Sequence, residues 1–168
     1  MMRRFALAFV LIASSSAAAA QSVGVGGAFG KGRTHVMVSA GGGSAFDETY
    51  LVLGLGVSYY LIDGLSAGLF IESWTGGDPG LVKYTPSVQY VFYKAPAKPY
   101  LGAFYRRTDI ERLPDLDSVG ARAGIYFPVS QNAYLGFGAV YESYLDCEKS
   151  TYRSCDSTYG ELTFTFAF

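Results

Sequence analysis

The chain holds a single histidine, His35, with Ser39 four residues further on. On an extended strand an even separation puts two side chains on one face. The pair is therefore the obvious candidate for a nucleophile and its general base, a chemistry that needs a hydrogen bond between them and an acid to orient the imidazole. No acid neighbours His35 in sequence, so it reads as a structural polar residue and no catalytic residue is assigned. Glu72, Glu142 and Glu161 could supply an acid-base couple. Lys83, Arg106 and Arg122 share their place in the pattern, and three acids matched by three bases predict an ion-paired network instead. Cys147 and Cys155 bracket one short polar stretch. Zinc takes four nitrogen or sulfur donors and His35 is remote, so no metal site is expected and a disulfide is. No cofactor is assigned.

These residues must be positioned by elements of an unusual kind. Of 168 residues, 50% are hydrophobic, 16% aromatic and only 16% charged, with 21 Gly. Such a chain is too apolar for disorder and poor in charge for an ordinary soluble surface. Residues 1–20 have the pattern of a secretory signal: basic Arg3 and Arg4, an apolar run from Phe5 to Ala13, and small Ala18-Ala19-Ala20 before Gln21. Export leads to an oxidising compartment, which suits the disulfide. The chain carries 13 Lys and Arg against 14 Asp and Glu. Two of those arginines belong to the leader, so the remainder is acidic and no nucleic-acid binding is expected. Beyond the leader the longest near-apolar run, Tyr50 to Ile62, is broken by Gly and Ser and falls short of the roughly 20 residues of a spanning helix.

Apolar residues recur instead at every second position. Leu51, Leu53, Leu55, Val57, Tyr59 and Leu61 alternate with small or polar partners, as do Leu162, Phe164, Phe166 and Phe168. With Gly, Pro and Asp or Asn clusters as punctuation, eight segments emerge. They run Arg33–Gly42, Thr49–Leu61, Leu65–Thr75, Leu81–Lys94, Tyr100–Asp109, Val119–Val129, Tyr134–Leu145 and Ser157–Phe168. Each is long enough to cross hydrocarbon as a tilted strand. Compact turns at Asp63-Gly64, 95–99 and 130–132 alternate with connections at 43–48, 76–80, 110–118 and 146–156, most of them longer, the asymmetry of a transmembrane barrel. Lipid leaves no partner for an open sheet edge, so such a sheet must close. The expected fold is all-β, an eight-stranded antiparallel up-and-down transmembrane β-barrel over residues 33–168. Residues 21–32 form either the start of strand one or a periplasmic N-terminal segment. Parity sends Glu72, Lys83, Arg106, Arg122, Glu142 and Glu161 into the lumen, together with Tyr60, Phe70, Trp74, Tyr93, Phe104, Tyr126 and Tyr134. Glycine concentrates on that same face, as a narrow interior requires.

On its leader, its eight alternating segments and its final strand Leu162-Thr-Phe-Thr-Phe-Ala-Phe168, the chain resembles the small eight-stranded outer-membrane barrels of Gram-negative bacteria, the OmpA/OmpX-like group. The resemblance implies both termini in the periplasm and the long loops outside the cell. It also implies that Phe164, Phe166 and above all Phe168 are the signal read by the barrel-assembly machinery. Most of the acids fall in or beside the long loops, among them Asp47, Glu48, Asp78, Asp109, Glu111, Asp115, Asp117, Asp146, Glu148 and Asp156. Asp also favours turns for purely local reasons. The expected function is that of a non-enzymatic, monomeric outer-membrane barrel with a plugged lumen. Its partners are the membrane lipid, lipopolysaccharide and an extracellular partner at the acidic loops. A narrow pore and a lipid A-modifying enzyme are the alternatives.

Overall fold

A computed structural model describes residues 27–45, 48–145 and 155–168. The leader at 1–20, residues 21–26 and Cys147 lie outside the described residues, as do Asp47, Asp146 and Glu148. A 3-10 turn, Gly27–Phe29, precedes eight strands: β1 (Thr34–Ala45), β2 (Glu48–Ile62), β3 (Leu65–Thr75), β4 (Leu81–Val91), β5 (Lys98–Ile110), β6 (Leu116–Pro128), β7 (Ala133–Tyr144) and β8 (Asp156–Ala167). Each pairs antiparallel with the next and β1 pairs with β8, closing an up-and-down barrel. It is the all-β architecture that the alternation predicts.

The bounds differ from the sequence expectation where glycine and proline were taken as punctuation. β1 runs past its expected end at Gly42 to Ala45, and Gly41, Gly42 and Gly43 pair with Val52, Leu51 and Tyr50 of β2. A ladder needs only backbone groups, so a partner as long and apolar as β2 carries a glycine run that would otherwise read as loop. β4 ends at Val91 rather than Lys94, because the chain turns at once: the Ala95 amide donates to the Phe92 carbonyl at 3.0 Å. β5 starts before Pro99, whose carbonyl accepts from the Phe92 amide at 2.8 Å. Proline is tolerated at such a strand start because no amide is required there. Pro86 is the exception, lying within β4, and the β4–β5 register passes from Tyr84↔Arg107 to Ser87↔Phe104 across it.

The alternation acquires its sign from burial. Leu51, Leu53, Leu55, Val57, Tyr59 and Leu61 of β2 are all exposed, Leu55 by 60%, while Tyr50, Val52 and Tyr60 face inward and are buried. Val88, Leu101, Val119, Phe137, Tyr141 and Leu162 continue the exposed row around the wall. A soluble protein does not present a contiguous apolar exterior of this extent; a bilayer solvates it. Inside, glycine makes room for rings. Gly54 and Gly56 leave space for Phe70, and Gly124 and Gly138 for Tyr100, where a Cβ would collide with the ring or its hydroxyl.

One seam of the wall is short. The β1–β8 register extends only from His35↔Ala167 to Val38↔Phe164, although β1 continues to Ala45 and β8 begins at Asp156. β1 pairs with β2 along its whole length, and β8 with β7.

Candidate functional site

The six charged residues expected in the lumen all point there, and the structure brings five of them into two clusters. Arg106, 5% exposed, is the centre of the first. Its Nη1 donates to Glu142 Oε2 at 2.8 Å and to the Tyr159 hydroxyl at 2.7 Å, and its Nε donates to Thr85 Oγ1 at 3.0 Å. Glu72 Oε2 stands 3.6 Å from the same guanidinium. Glu142, itself 2% exposed, also accepts from Ser118 Oγ at 2.5 Å and from the Tyr159 hydroxyl at 2.9 Å. Carboxylate and guanidinium are thus both hydrogen-bonded as well as paired, which a buried ion pair requires. In the second cluster Arg122 pairs with Glu161 at 3.4 Å, and the Tyr100 hydroxyl donates to Glu161 Oε1 at 2.8 Å. The Phe104 ring lies between the clusters, with the Arg106 and Arg122 guanidinium carbons each 5.0 Å from its centroid. Lys83 takes a different partner: its Nζ sits 3.9 Å over the Trp74 ring, an attraction to the negative face of the ring.

Sequence reading missed several members of these clusters. Thr85, Ser118, Tyr100 and Tyr159 share strand parity with Lys83, Arg122, Arg106 and Glu161 respectively, so strict alternation on β4, β5, β6 and β8 would have found them.

At the barrel end that carries Gly27 and Phe168, aromatic rings cluster inside the lumen. Phe29 is 1% exposed and inserts among His35, Tyr60, Tyr126 and Tyr134, with ring centroids 4.8 to 5.9 Å away. The segment is held by backbone bonds, Gly64 amide to Phe29 carbonyl at 2.8 Å and Gly32 amide to Tyr60 carbonyl at 2.9 Å. His35 Nε2 lies 2.8 Å from the Ala28 carbonyl. Residues 27–29 form a 3-10 turn whose Phe29 ring packs inside this end of the barrel. His35 is part of its seat, while Ser39 Oγ is buried without a hydrogen-bond partner among the described residues. The two do not form a nucleophile–base pair.

Further along the lumen from Phe29 lies a cavity of about 740 Å³. Trp74, Arg106, Arg122 and Glu142 line it, as do Ser39 and Gly41 of β1 and Glu161 and Thr163 of β8. At the far end, loops 76–80 and 111–115 are tied to each other and to the rim. Arg112 pairs with Asp78 at 2.8 Å, the Tyr50 hydroxyl donates to the Pro79 carbonyl at 2.9 Å, and Arg107 pairs with Asp109 and with Asp115. Exposed pairs of this kind are each worth only about 0 to 1 kcal/mol. Four of the loop acids, Asp78, Asp109, Glu111 and Asp115, thus lie within ion-pair distance of an arginine. Cys155 sits just before β8, while its expected partner Cys147 lies outside the described residues. Phe166 and Phe168 are exposed on the outer face at the strand end, and Phe168 exchanges both backbone bonds with Thr34.

A closed eight-stranded antiparallel barrel with an apolar exterior and a charged interior defines the fold class of the small outer-membrane β-barrels. Solved structures share this fold. The N-terminal β-barrel domain of Pseudomonas aeruginosa OprF superposes with a TM-score of 0.64 at 15% identity, covering 83% of this chain and 99% of that one. Neisserial surface protein A gives a TM-score of 0.52 at 18% identity, with 80% and 94% covered. No family model matches the chain, and no curated protein matches it in sequence.

Proposed function

We propose that the chain is a non-enzymatic, monomeric outer-membrane barrel that serves the envelope or a surface interaction and has no through-channel. The observation that carries this reading is the Phe29 ring, buried at the terminal end beneath a lumen that holds the Arg106–Glu142 and Arg122–Glu161 pairs, which we read as a stopper. Eight strands leave an interior just wide enough for side chains to fill, and beside the cavity rings and ion pairs occupy this one. The leader at residues 1–20 directs export, the termini face the periplasm, and the long loops meet the exterior, where lipopolysaccharide and an extracellular partner are within reach.

The test is conductance. The full chain in a planar bilayer is expected to hold the baseline at physiological salt, and large, stable steps would instead favour the narrow-pore reading that the cavity above the stopper invites. A lipid A-modifying activity would appear as altered lipid A masses on expression, reversed by His35→Ala.

Two residue roles belong to the same reading. Phe168, exposed at the end of the last strand, is offered as the assembly signal together with Phe164 and Phe166. Removing it is expected to lower the amount of heat-modifiable barrel in the membrane fraction, and unchanged levels would remove that role. Cys147 and Cys155 are proposed to form a disulfide across the last long loop, stiffening it by shortening the loop that the unfolded chain can explore. Thiol labelling of unreduced protein should then find no reactive cysteine, whereas two labelled thiols would count against the bond.

A further inference from the structure

The two ends of the barrel differ in charge and in how that charge is compensated. At the loop end Glu48, Asp78, Glu111, Asp115 and Asp156 outnumber the arginines, and Arg107 and Arg112 both sit in ion pairs. At the end that carries Phe168 the balance reverses, with Lys31, Arg33, Lys94 and Lys98 beside a single acidic side chain, Asp63. None of these four cations has a carboxylate within ion-pair distance among the described residues, that of Phe168 included. The ion pairs among those residues all belong to Arg106, Arg107, Arg112 or Arg122. Asp63 accepts instead from the Lys31 backbone amide at 2.8 Å. Lys98 Nζ donates to the Tyr93 carbonyl at 3.0 Å, and Lys94 Nζ stands 5.8 Å from the Tyr93 ring centre. Neither contact supplies a counter-charge.

Backbone bonds draw the basic segments into one surface. The Gly64 amide donates to the Phe29 carbonyl at 2.8 Å, the Val91 amide to the Gly64 carbonyl at 2.8 Å, and the Gly32 amide to the Tyr60 carbonyl at 2.9 Å. The remaining turn at this end, residues 129–132, carries no charge, so the cations belong to one flank of the barrel. On the outer face of that flank Tyr59, Tyr90 and Phe92 are exposed. Tyr90 and Phe92 meet edge to face with centroids 5.1 Å apart. A Cβ on Gly32 would stand 3.9 Å from the Tyr59 hydroxyl, so that phenol reaches the level of Lys31 and Arg33. Such rings settle where hydrocarbon gives way to headgroups, which puts the uncompensated cations at the depth of the lipid phosphates.

Building on the membrane reading, we propose that this flank is a docking surface for anionic phospholipid of the phosphatidylglycerol class in the leaflet at the terminal end. Its acyl chains lie along Tyr59, Tyr90 and Phe92, and its phosphate faces Lys31, Arg33 and Lys94. Basic residues next to a leaflet attract its anionic lipids over about one Debye length. A phosphatidylcholine head carries its own cation beside the phosphate and gains little from the rim, whereas the phosphatidylglycerol head leaves that charge open. The acidic loop end repels the same lipid, so the selectivity belongs to one end of the barrel.

Lipid selectivity is read directly from spin-labelled lipids. The full chain is reconstituted in phosphatidylcholine bilayers holding a trace of phosphatidylglycerol or phosphatidylcholine labelled on one acyl chain, and the motionally restricted fraction of each gives its relative affinity for the barrel. Phosphatidylglycerol should be preferred by about threefold or more at low salt. The preference should fade at roughly 1 M salt, where the Debye length is about 3 Å. Lys31→Gln/Arg33→Gln/Lys94→Gln should bring the ratio close to one while heat-modifiable migration shows the barrel folded, and Lys31→Arg/Lys94→Arg should keep the preference. Arg107→Gln/Arg112→Gln at the loop end should keep it as well. Equal restriction of the two lipids would overturn the proposal while leaving the membrane reading intact, and so would a preference indifferent to salt. A preference that survives the triple variant, or that is lost with Arg107 and Arg112, would overturn its assignment to this flank. Equal restriction together with binding of soluble polyglutamate would give the patch to an acidic macromolecule instead of lipid. A chain that stays soluble without detergent would overturn the membrane reading itself.

Discussion

Replacing Arg106 with methionine should destabilise the barrel by about 3 to 5 kcal/mol, the range for removing one partner of a buried ion pair. The guanidinium satisfies Glu142, Tyr159 and Thr85 directly and stands 3.6 Å from Glu72. Methionine keeps much of the aliphatic volume, so the loss is mainly electrostatic. Glu142 would remain among Ser118 and Tyr159 with two hydroxyl donors but without its paired guanidinium, and Glu72 would keep only its cross-strand neighbour Lys83 as a counter-charge. The triple variant Arg106→Met/Glu142→Gln/Glu72→Gln separates charge from packing. It is expected to recover most of the loss, because replacing a buried pair by neutral groups is often close to neutral whereas stranding one partner is not. Urea unfolding of the reconstituted barrel, followed by the heat-modifiable gel shift, measures both. A loss below about 1 kcal/mol for Arg106→Met, the range of an exposed pair, would mean that water screens the cluster and that it does not hold the lumen together.

That network was legible in the sequence because strand parity is a hard geometric rule: on an extended chain adjacent residues cannot share a face. Glu72, Arg106 and Glu142 come from β3, β5 and β7, far apart in the chain, yet one rule assigned each to the interior. The same rule put Leu55 and its neighbours outside. Their number then required lipid, since the alternation itself has no sign. The β1–β8 seam was not legible, because how far two strands pair depends on where each meets its other neighbour. Nothing in Ser39 to Gly43 or Tyr159 to Thr163 marks them as unpaired with each other. Gly43 to Ala45 was misread as loop for a related reason: glycine signals a break only when no partner strand supplies the ladder, and β2 does so here. Phe29 was beyond reach for another reason again. Val23, Val25 and Phe29 alternate against glycine in a pattern that extends a strand on paper. The 3-10 turn at Gly27–Phe29 arises from tertiary packing, with Gly27 at φ +58°, a left-handed conformation that suits glycine.

Replacing Phe29 with alanine should free this stopper, and its size sets the magnitude. Truncating a fully buried phenylalanine costs about 3 to 5 kcal/mol. The segment is otherwise held by a few backbone hydrogen bonds, each worth about 0.5 to 1.5 kcal/mol net. The loss is therefore comparable to everything else that docks residues 27–32. The expected result is local release rather than unfolding, because the strands of the barrel do not depend on the turn for their ladders. Release removes the ring from among Tyr60, Tyr126 and Tyr134 and exposes His35, whose acceptor at Ala28 departs with the segment. Amide exchange at Gly32 and Gly64, whose amides bond across this junction, should accelerate by at least two orders of magnitude while exchange in mid-strand stays slow. Phe29→Leu, which refills most of the volume, should retain protection. In a planar bilayer Phe29→Ala should show brief small openings where the unaltered chain is silent, brief because the Tyr100–Tyr126 pair, with centroids 4.7 Å apart, still narrows the path. Protection at Gly32 and Gly64 that persists in Phe29→Ala would show the segment to be anchored by its backbone, and the ring to be filler rather than stopper.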